Sequence, residues 1–155
     1  MKIELSVNGE DQVFEIDPSE KLITVLRREG YKGTKIGCDE GHCGSCTVLL
    51  DGEPVLGCLL FAACADGHEL ITIEGLGTQE NPHPLQTEFV DKGAVQCGYC
   101  IPGMLLSAKS LIDKNPDPSE EEIRRGLDGN YCRCTGYVKQ VEATKSAAEK
   151  MRGDS

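Results

Sequence analysis

The stretch 38-CDEGHCGSC-46 narrows the fold more than any other part of this sequence, because it places three cysteines within nine residues. A fourth, Cys58, follows a predicted hairpin and completes the spacing C-x4-C-x2-C-x11-C. The C-x4-C-x2-C spacing is typical of plant-type [2Fe–2S] sites. Three glycines, Gly37, Gly41 and Gly44, give this backbone the freedom to wrap closely, and they let amide N–H groups approach the sulfur atoms.

Two other kinds of site are compatible with clustered thiols, namely a structural zinc site and a reactive thiol cluster. Structural zinc sites favour two short C-x2–4-C knuckles rather than three thiols in one short loop. The spacing therefore favours an iron–sulfur site. We call Cys38, Cys43, Cys46 and Cys58 the first set.

The second set of cysteines consists of 97-CGYC-100 and 132-CRC-134. Such a pattern also occurs in zinc sites and redox dithiols, so by itself it leaves these alternatives open beside a cluster. Pro102 marks a predicted helix start just after Cys100, and the CRC segment lies between two predicted helices. Helix N-termini offer N–H donors and partial positive charge, which suit an anion such as a four-thiolate [2Fe–2S] cluster.

Composition and charge exclude some classes of partner. The 155 residues carry 16 basic and 26 acidic side chains, a net charge of −10, which argues against a nucleic-acid surface and against docking to anionic lipid. A protein partner is favoured. The N-terminus lacks the pattern of a signal peptide, and no stretch approaches about 18 unbroken apolar residues. We therefore expect a cytoplasmic protein without membrane insertion.

A reducing compartment affects how the nine cysteines are interpreted. Disulfides are rare there, so metal ligands or catalytic thiols are favoured over a disulfide framework. The ninth cysteine, Cys64, stands outside both sets among apolar residues. We expect it to be a small buried hydrophobe without chemistry.

The first 76 residues alternate predicted strands and turns. IELSV, an NGE turn and QVFEI predict one hairpin, and TVLL-DGE-PVL predicts another. The stretch 18-PSEKLITVLRREG-30 predicts a helix, with Pro18 and Ser19 at its start and Gly30 at its end. ELITIEGL predicts a further strand. We expect a β-rich domain over residues 1–76.

The rest of the chain has the patterns of helices. After the polar connector 77-GTQENPHP-84, helices are predicted at LQTEFVDK, PGMLLSAKSLIDK, PSEEEIRRGL and VEATKSAAEKM. Ser119 and Glu122 have the spacing of a capping box. His68 and His83 have no neighbouring ligand pattern and are expected at the surface. We expect a helical domain over residues 77–155.

The two cysteine sets, with their neighbours, resemble a known family. Three segments carry the likeness: GCDEGHCGSCTVLLDGEPVLGC, AVQCGYCIPGM and NPDPSEEEIRRGLDGNYCRCTGY. In this order they resemble the small iron–sulfur subunit of the molybdenum hydroxylases, the relatives of xanthine dehydrogenase, aldehyde oxidoreductase and carbon monoxide dehydrogenase. The resemblance implies an α+β fold, in which a β-grasp, plant-ferredoxin-like domain precedes an all-α four-helix bundle.

The resemblance also implies the cofactors and partners. One [2Fe–2S] cluster would be held by Cys38, Cys43, Cys46 and Cys58, and the other by Cys97, Cys100, Cys132 and Cys134. The second cluster would lie beside the pterin of a molybdenum cofactor on a separate large subunit. There Gln96 would bond the pterin, and Cys134 would be the ligand nearest its edge. Electrons would continue to an FAD-binding medium subunit or another acceptor, and this chain would perform no substrate chemistry.

From the residues alone, Gln96 would be an ordinary capping or solvent-facing amide. Three positions differ from the residue types that are most usual in the family, namely His42, Tyr99 and Ile101. None of them is an implied ligand. Two other functions compete with the electron-transfer subunit. A free-standing ferredoxin would need only the first domain, and a structural zinc protein would bind zinc at the second set. The substrate pocket would lie in another chain, so the substrate stays open.

Overall fold

The computed structural model describes residues 1–153. Five strands and five α-helices make an α+β fold, with the sheet in the first half of the chain. The strands are β1 (Lys2–Val7), β2 (Glu10–Glu15), β3 (Thr47–Leu50), β4 (Glu53–Leu56) and β5 (Glu69–Ile71). The helices are α1 (Leu22–Arg28), α2 (Pro84–Asp91), α3 (Ile101–Lys114), α4 (Glu120–Gly126) and α5 (Val138–Arg152). Short 3₁₀ turns occupy Ala62–Ala65 and Ile73–Gly75.

The sheet has the strand order β2-β1-β5-β3-β4 and is mixed, since only β1 and β5 run parallel. Both predicted hairpins are confirmed, with Ile3 opposite Phe14 in one and Val48 opposite Val55 in the other. Their turns, at 8–9 and 51–52, have positive φ at both central residues. Such turns match the twist of paired strands and favour Asn-Gly and Asp-Gly. The alternation in β1 places its apolar side chains in the core of this half, in the same cluster as the apolar side chains of α1.

The helix predicted over 18–30 begins later than expected. Lys21 is its N-cap residue and Leu22 its first helical residue. Ser19 bonds Asp17 instead, with its hydroxyl at 2.6 Å and its amide at 2.9 Å from Oδ1. This local Asx-type turn competes with helix formation, which explains why the prediction was wrong at this end.

The last predicted strand of the sheet is shorter than expected. It ends at Ile71, and the chain then enters the 3₁₀ turn Ile73–Gly75. The Asn8 side chain accepts a hydrogen bond from the Thr72 amide at 2.8 Å and donates one to the Thr72 hydroxyl at 3.0 Å. A side chain therefore occupies the place where the backbone ladder would have continued.

The four helices of the second half share one apolar core. Phe89 of α2, Met104 of α3, Ile123 of α4 and Ala147 of α5 are all buried in it. The predicted capping box is confirmed at the start of α4, where Ser119 and Glu122 bond each other's backbone amides. These apolar contacts leave the segments before α3 and α5, which carry the second set, at one end of the helices.

Two expectations about surface and burial were wrong. Cys64 is exposed on the 3₁₀ turn Ala62–Ala65, because the two alanines that bound this turn face the core instead. His83 is half-buried and caps α2, with Nδ1 accepting from the Leu85 amide at 3.2 Å. Burial lowers its pKa. His68, as expected, is exposed, and its ring lies 2.6 Å from an Asp51 carboxylate oxygen.

The two halves of the chain are packed against each other. Helix α3 lies on strand β3, and Ser110 donates a hydrogen bond to the Gly52 carbonyl at 2.8 Å. Lys114 pairs with Glu53 at 2.6 Å on the exposed edge of the same contact. No helix within residues 1–153 is long and apolar enough to cross a bilayer.

Candidate metal centres

The first set lies on the loop between α1 and β3 and on the segment after β4. The thiols of Cys38 and Cys43 lie within hydrogen-bonding reach of each other, and so do those of Cys46 and Cys58. Cys43 is also near Cys46. The structure thus brings together all four cysteines that the sequence placed in one set, as two neighbouring pairs.

Backbone amides and burial act differently on the two pairs. The amides of Glu40 and His42 lie 3.4 Å and 3.3 Å from Cys38 Sγ. Such donors favour the thiolate, and with the Cys43 amide they lower the pKa of Cys38 to about 6. Burial raises the pKa of Cys46 to about 12. The loop therefore favours the thiolate at half-buried Cys38, whereas Cys46 is buried beside Cys58.

The glycines of this loop do not all have the role expected of them. A Cβ on Gly37 would lie 2.6 Å from Cys43 Sγ, so its absence makes room for a sulfur atom, as predicted. A Cβ on Gly41 would meet Leu59 Cδ1 at 2.5 Å. A Cβ on Gly44 would lie 2.3 Å from the Gly129 carbonyl oxygen. Gly44 therefore allows the other half of the chain to approach.

The second set lies at the start of α3 and on the loop between α4 and α5. Cys97 and Cys134 are exposed and within hydrogen-bonding reach of each other, while buried Cys100 pairs with half-buried Cys132. Each pair has one member from CGYC and one from CRC. Cys100 directly precedes the first residue of α3, as the sequence predicted from Pro102.

The protonation behaviour of the second set follows burial and hydrogen bonding. Burial raises the pKa of Cys100 to about 12. Burial also works to raise the pKa of Cys132, but hydrogen bonds with Thr135, the Cys134 amide and the Cys100 thiol together outweigh it and leave that pKa lowered. The Cys97 thiol raises the pKa of Cys134. Of Cys100 and Cys132, Cys132 is therefore the thiol that loses its proton at the lower pH.

The pairing of the thiols fits a two-iron group. Among residues 1–153, no group of three or more histidine, cysteine, aspartate or glutamate side chains is arranged to hold a single metal ion. A [2Fe–2S] cluster takes four thiolates, two on each iron, which is the arrangement of each set. The Cys38 amide donors and the sulfur-facing gap at Gly37 also fit such a cluster.

The residues singled out beside the second set lie close to it. Gln96 is exposed, and its Nε2 donates to the Cys134 carbonyl at 3.2 Å, so the two residues share one surface. The chain on either side of the CRC segment carries exposed apolar and aromatic side chains, among them Tyr131, which is 61% exposed, and Val138. His42 beside the first set is exposed and lies 3.9 Å from Glu40.

Three contacts that the sequence did not reveal join the two sets. The Tyr131 amide donates to the Cys43 carbonyl at 2.9 Å, which links a neighbour of Cys132 directly to a member of the first set. The Asn130 side chain donates to the Gly44 carbonyl at 3.1 Å. The Tyr99 hydroxyl, inside CGYC, donates to the Ile36 carbonyl at 2.6 Å. The loops that carry the two sets are thus in direct contact.

A buried amide beside Cys132 is a further feature that the sequence analysis missed. Gln140 in the first turn of α5 is completely buried, and its Nε2 bonds the hydroxyl of Thr135. That hydroxyl lies 3.1 Å from Cys132 Sγ. The helical spacing of α5 places position 140 on the apolar face, so a polar residue there was the available signal.

Comparison with known proteins agrees with this geometry. Residues 5–71 match the family model described as 2Fe-2S iron-sulfur cluster binding domain, and residues 72–145 match the one described as [2Fe-2S] binding domain. The chain is 48% identical to the nicotinate dehydrogenase small FeS subunit of Eubacterium barkeri, over 96% of this chain and 95% of that one. It is 45% identical to the aldehyde oxidoreductase of Megalodesulfovibrio gigas, over 96% of this chain but 17% of that protein.

Solved structures give the same result. The aldehyde oxidoreductase from Desulfovibrio gigas superposes with a TM-score of 0.97 at 43% identity, covering 100% of this chain and 18% of that one. The quinoline 2-oxidoreductase from Pseudomonas putida 86 superposes at 0.94 with 44% identity, covering 99% of this chain and 96% of the matched one. This chain belongs to the small iron–sulfur subunits of the molybdenum hydroxylase family, with two [2Fe–2S]-binding domains.

Proposed function

We propose that this chain is the electron-transfer subunit of a multi-subunit molybdenum-cofactor hydroxylase or dehydrogenase. It would relay electrons between the molybdopterin site of a large subunit and an FAD subunit or another acceptor. The observation that carries this proposal is the convergence of eight cysteines into two paired sets on touching loops, with the Tyr131 amide bonded to the Cys43 carbonyl. Bound [2Fe–2S] clusters supply one-electron redox chemistry.

The residues of this chain would hold and shield the clusters. We propose that the first set (Cys38, Cys43, Cys46 and Cys58) and the second set (Cys97, Cys100, Cys132 and Cys134) are the ligands. Burial of Cys46, Cys58 and Cys100 supports this, because it keeps water from one side of each site. The amide donors on Cys38 support it as well, since they stabilise sulfur that carries negative charge.

The exposed end of the second set is the proposed contact with the molybdenum subunit. Gln96 would bond the pterin there, and Cys134 would be the ligand through which electrons enter. The exposure of both residues and the hydrogen bond between them support this assignment. Exposed Tyr131, Tyr137 and Val138 nearby support a protein contact, since apolar surface of this kind is typical of interfaces.

We also propose the domain division 1–76 and 77–155, of which residues 154 and 155 lie outside the described part. Two separate apolar cores support it, one under the sheet and one among α2 to α5, although Leu76 packs with the second core. The shared core of these four helices supports a four-helix bundle. The reducing cytoplasm is the proposed compartment, since it suits unpaired thiols.

The substrate would be selected by the partner rather than by this chain. Relatives at 43% to 48% identity have names that specify nicotinate, aldehyde and quinoline. Sequences similar to this chain thus occur in proteins named for different substrates, which supports an electron-transfer role separate from substrate recognition.

Metal analysis of the native complex tests this proposal. We would capture the complex through a tag on this chain in its own cell and measure iron, zinc and molybdenum per copy. We expect about four irons per chain, with molybdenum and a large partner. The Cys132→Ser variant should fall to about two irons, whereas Cys64→Ser, which alters an exposed thiol outside both sets, should keep them all.

Two outcomes would contradict the proposal. About two irons with zinc would indicate a ferredoxin-like protein with one cluster and a structural zinc ion at the second set. A full iron complement without molybdenum or a large partner, after gentle anaerobic capture, would indicate a free electron carrier.

A further inference from the structure

Gln140 is a completely buried polar side chain next to the second set. Its Nε2 donates to the Ala94 carbonyl at 3.2 Å, bonds the Thr135 hydroxyl, and lies 3.9 Å from Cys132 Sγ. Its Oε1 has no hydrogen-bond partner among residues 1–153. A buried amide that is only half satisfied is unusual enough to require an explanation.

The surroundings fix the orientation of this amide. The Ala94 carbonyl can only accept, so the nitrogen of Gln140 must face it. The remaining N–H is then directed to Thr135, whose oxygen accepts it. The hydroxyl has one proton, and it is free to point to Cys132 Sγ at 3.1 Å. The three side chains therefore form a donor chain with one direction, which ends on the sulfur.

Stability gives a poor account of this arrangement. A leucine of similar size would remove the unpaired amide oxygen but would leave the buried Ala94 carbonyl without its donor, so fold stability accounts only for the bond to Ala94. The Ala94 bond uses only one of the two N–H groups. The other supports a hydroxyl that is itself bonded to a proposed ligand. The arrangement is therefore better explained by an effect on that sulfur.

We propose that Gln140, acting through Thr135, is a positioning residue that raises the reduction potential of the second cluster. This inference rests on the proposed function, in which Cys132 is a ligand of that cluster. Hydrogen bonds to a cluster sulfur stabilise the more negative, reduced state, and they are among the known determinants of potential. The bond from Gln140 polarises the hydroxyl and strengthens its bond to sulfur, as in other hydrogen-bond chains.

The test is a redox titration of the whole complex, monitored by electron paramagnetic resonance so that the two clusters are followed separately. At the potential where the wild-type second cluster is half reduced, Gln140→Leu and Thr135→Val should each lower its reduced-to-oxidised ratio. We expect at least a threefold loss, or about 28 mV at about 59 mV per tenfold for one electron. The first cluster should not shift.

Matched variants separate an effect through the hydrogen bond from general disturbance. Thr135→Ser keeps the hydroxyl and should keep the wild-type potential. Thr144→Val removes another buried hydroxyl of α5, one that bonds the Gln140 carbonyl at 2.8 Å rather than a sulfur, and should cause no shift. The double variant Gln140→Leu/Thr135→Val should shift no further than Thr135→Val alone, because Gln140 acts through that hydroxyl.

An unshifted second cluster in Thr135→Val, with iron content intact, would overturn the inference and leave the proposed function standing. The inference would also be overturned if adding Gln140→Leu to Thr135→Val lowered the potential as much as Gln140→Leu lowers it in the wild-type protein. The proposed function would still stand. If Gln140→Leu does not fold, the Thr135→Val and Thr135→Ser pair decides the question. A wild-type complex with a single cluster signal and about half the iron would overturn the proposed function itself, and the inference with it.

Discussion

Gly44 differs from the other loop glycines because it serves a contact between distant segments. The sequence suggested one role for Gly37, Gly41 and Gly44, which was to let amides approach sulfur. In the structure, the sulfur-facing gap is at Gly37, whereas a Cβ on Gly44 would lie 2.3 Å from the Gly129 oxygen. Gly44 also has φ +72°, in the left-handed region that favours glycine. The sequence can thus indicate that a position requires glycine without indicating which atom of the protein lies against it.

Substitution of Gly44 tests this assignment. Gly44→Ala should lose about 2–5 kcal/mol of stability, because a left-handed alanine costs roughly 1–2 kcal/mol and the clash with a backbone oxygen adds roughly 1–3 kcal/mol. Gly52→Ala is the matched control, since Gly52 has φ +80° and no atom within 4 Å of an added Cβ. It should lose only about 1–2 kcal/mol. Urea unfolding of the holoprotein measures both, and equal losses would show that Gly129 does not press on Gly44.

Helix starts were predicted correctly where no neighbouring side chain competes for the hydrogen bonds of the capping residue. Ser119 and Glu122 form the capping box before α4. Ser19 has a similar appearance in the sequence, but Asp17 two residues earlier binds its hydroxyl and amide, so α1 begins at Leu22. The capping pattern that predicts a helix start involves only neighbouring residues, and so does the turn between Asp17 and Ser19 that competes with it. Their relative strength depends on a distant segment, since the Leu22 amide bonds the Leu60 carbonyl and the Glu20 carbonyl accepts from the Ala62 amide.

An ion pair joins two helices at a place that no motif indicates. Glu88 of α2 is 1% exposed, and its carboxylate binds Lys150 and Ser146 of α5, the latter at 2.5 Å. The bond from Lys150, followed by that from Ser146, lowers the pKa of Glu88 against the opposing effect of burial. The carboxylate is therefore favoured in the folded state.

The pH dependence of stability should reflect this pair. Since the folded pKa lies below the unfolded one, the contribution is complete above about pH 4.3 and is lost as the pH falls through the folded value. Glu88→Gln should cost about 2 kcal/mol at pH 7 and lose stability less steeply under acid. Chemical unfolding, followed by helical circular dichroism at several pH values, measures both effects.

A surface ion pair on the same helix is the control. Glu142→Gln removes an exposed pair with Lys139 and should cost less than about 1 kcal/mol. Identical pH profiles for wild type and Glu88→Gln would be evidence against a stabilised carboxylate at position 88.

At the scale of the whole molecule, the two cluster loops hold the two halves of the chain together. Asn130 is 5% exposed, and its Nδ2 donates to the Gly44 carbonyl at 3.1 Å and the Thr47 hydroxyl at 3.3 Å. Beside it, the Tyr131 amide bonds the Cys43 carbonyl. These contacts set the separation of the two proposed clusters, so an electron-transfer function would depend on them as much as on the ligands.

Loss of the Asn130 side chain should loosen this junction. Asn130→Ala removes two buried hydrogen bonds and should cost about 1–3 kcal/mol, with the unfolding of the two halves separating in calorimetry. Lys114→Ala removes the exposed pair with Glu53 across the same junction and should cost less than about 1 kcal/mol. A single unchanged transition in Asn130→Ala would mean that the halves are joined mainly by the packing of α3 on β3.

Most of the fold and the grouping of the cysteines could be predicted from the sequence, because the relevant signals are local. Two-residue turns at 8–9 and 51–52 specify hairpins through backbone conformation, and C-x4-C-x2-C, C-x2-C and C-x-C specify loops with converging thiols. The resemblance was needed to expect that both segments of the second set hold one cluster, since Cys97 and Cys134 are remote in the chain.

Only the tertiary structure revealed the side chains that join distant segments. Asn130 reaches Gly44 across 86 residues, Gln140 reaches Ala94 across 46, and Glu88 reaches Ser146 across 58. The same applies to exposed Cys64, which was predicted to be buried. Helical periodicity indicates which face of a segment is apolar, but not which atoms of another segment lie opposite it. The sequence by itself therefore determined the cysteine loops and element types, whereas packing decided which polar groups support the sulfur and hold the halves together.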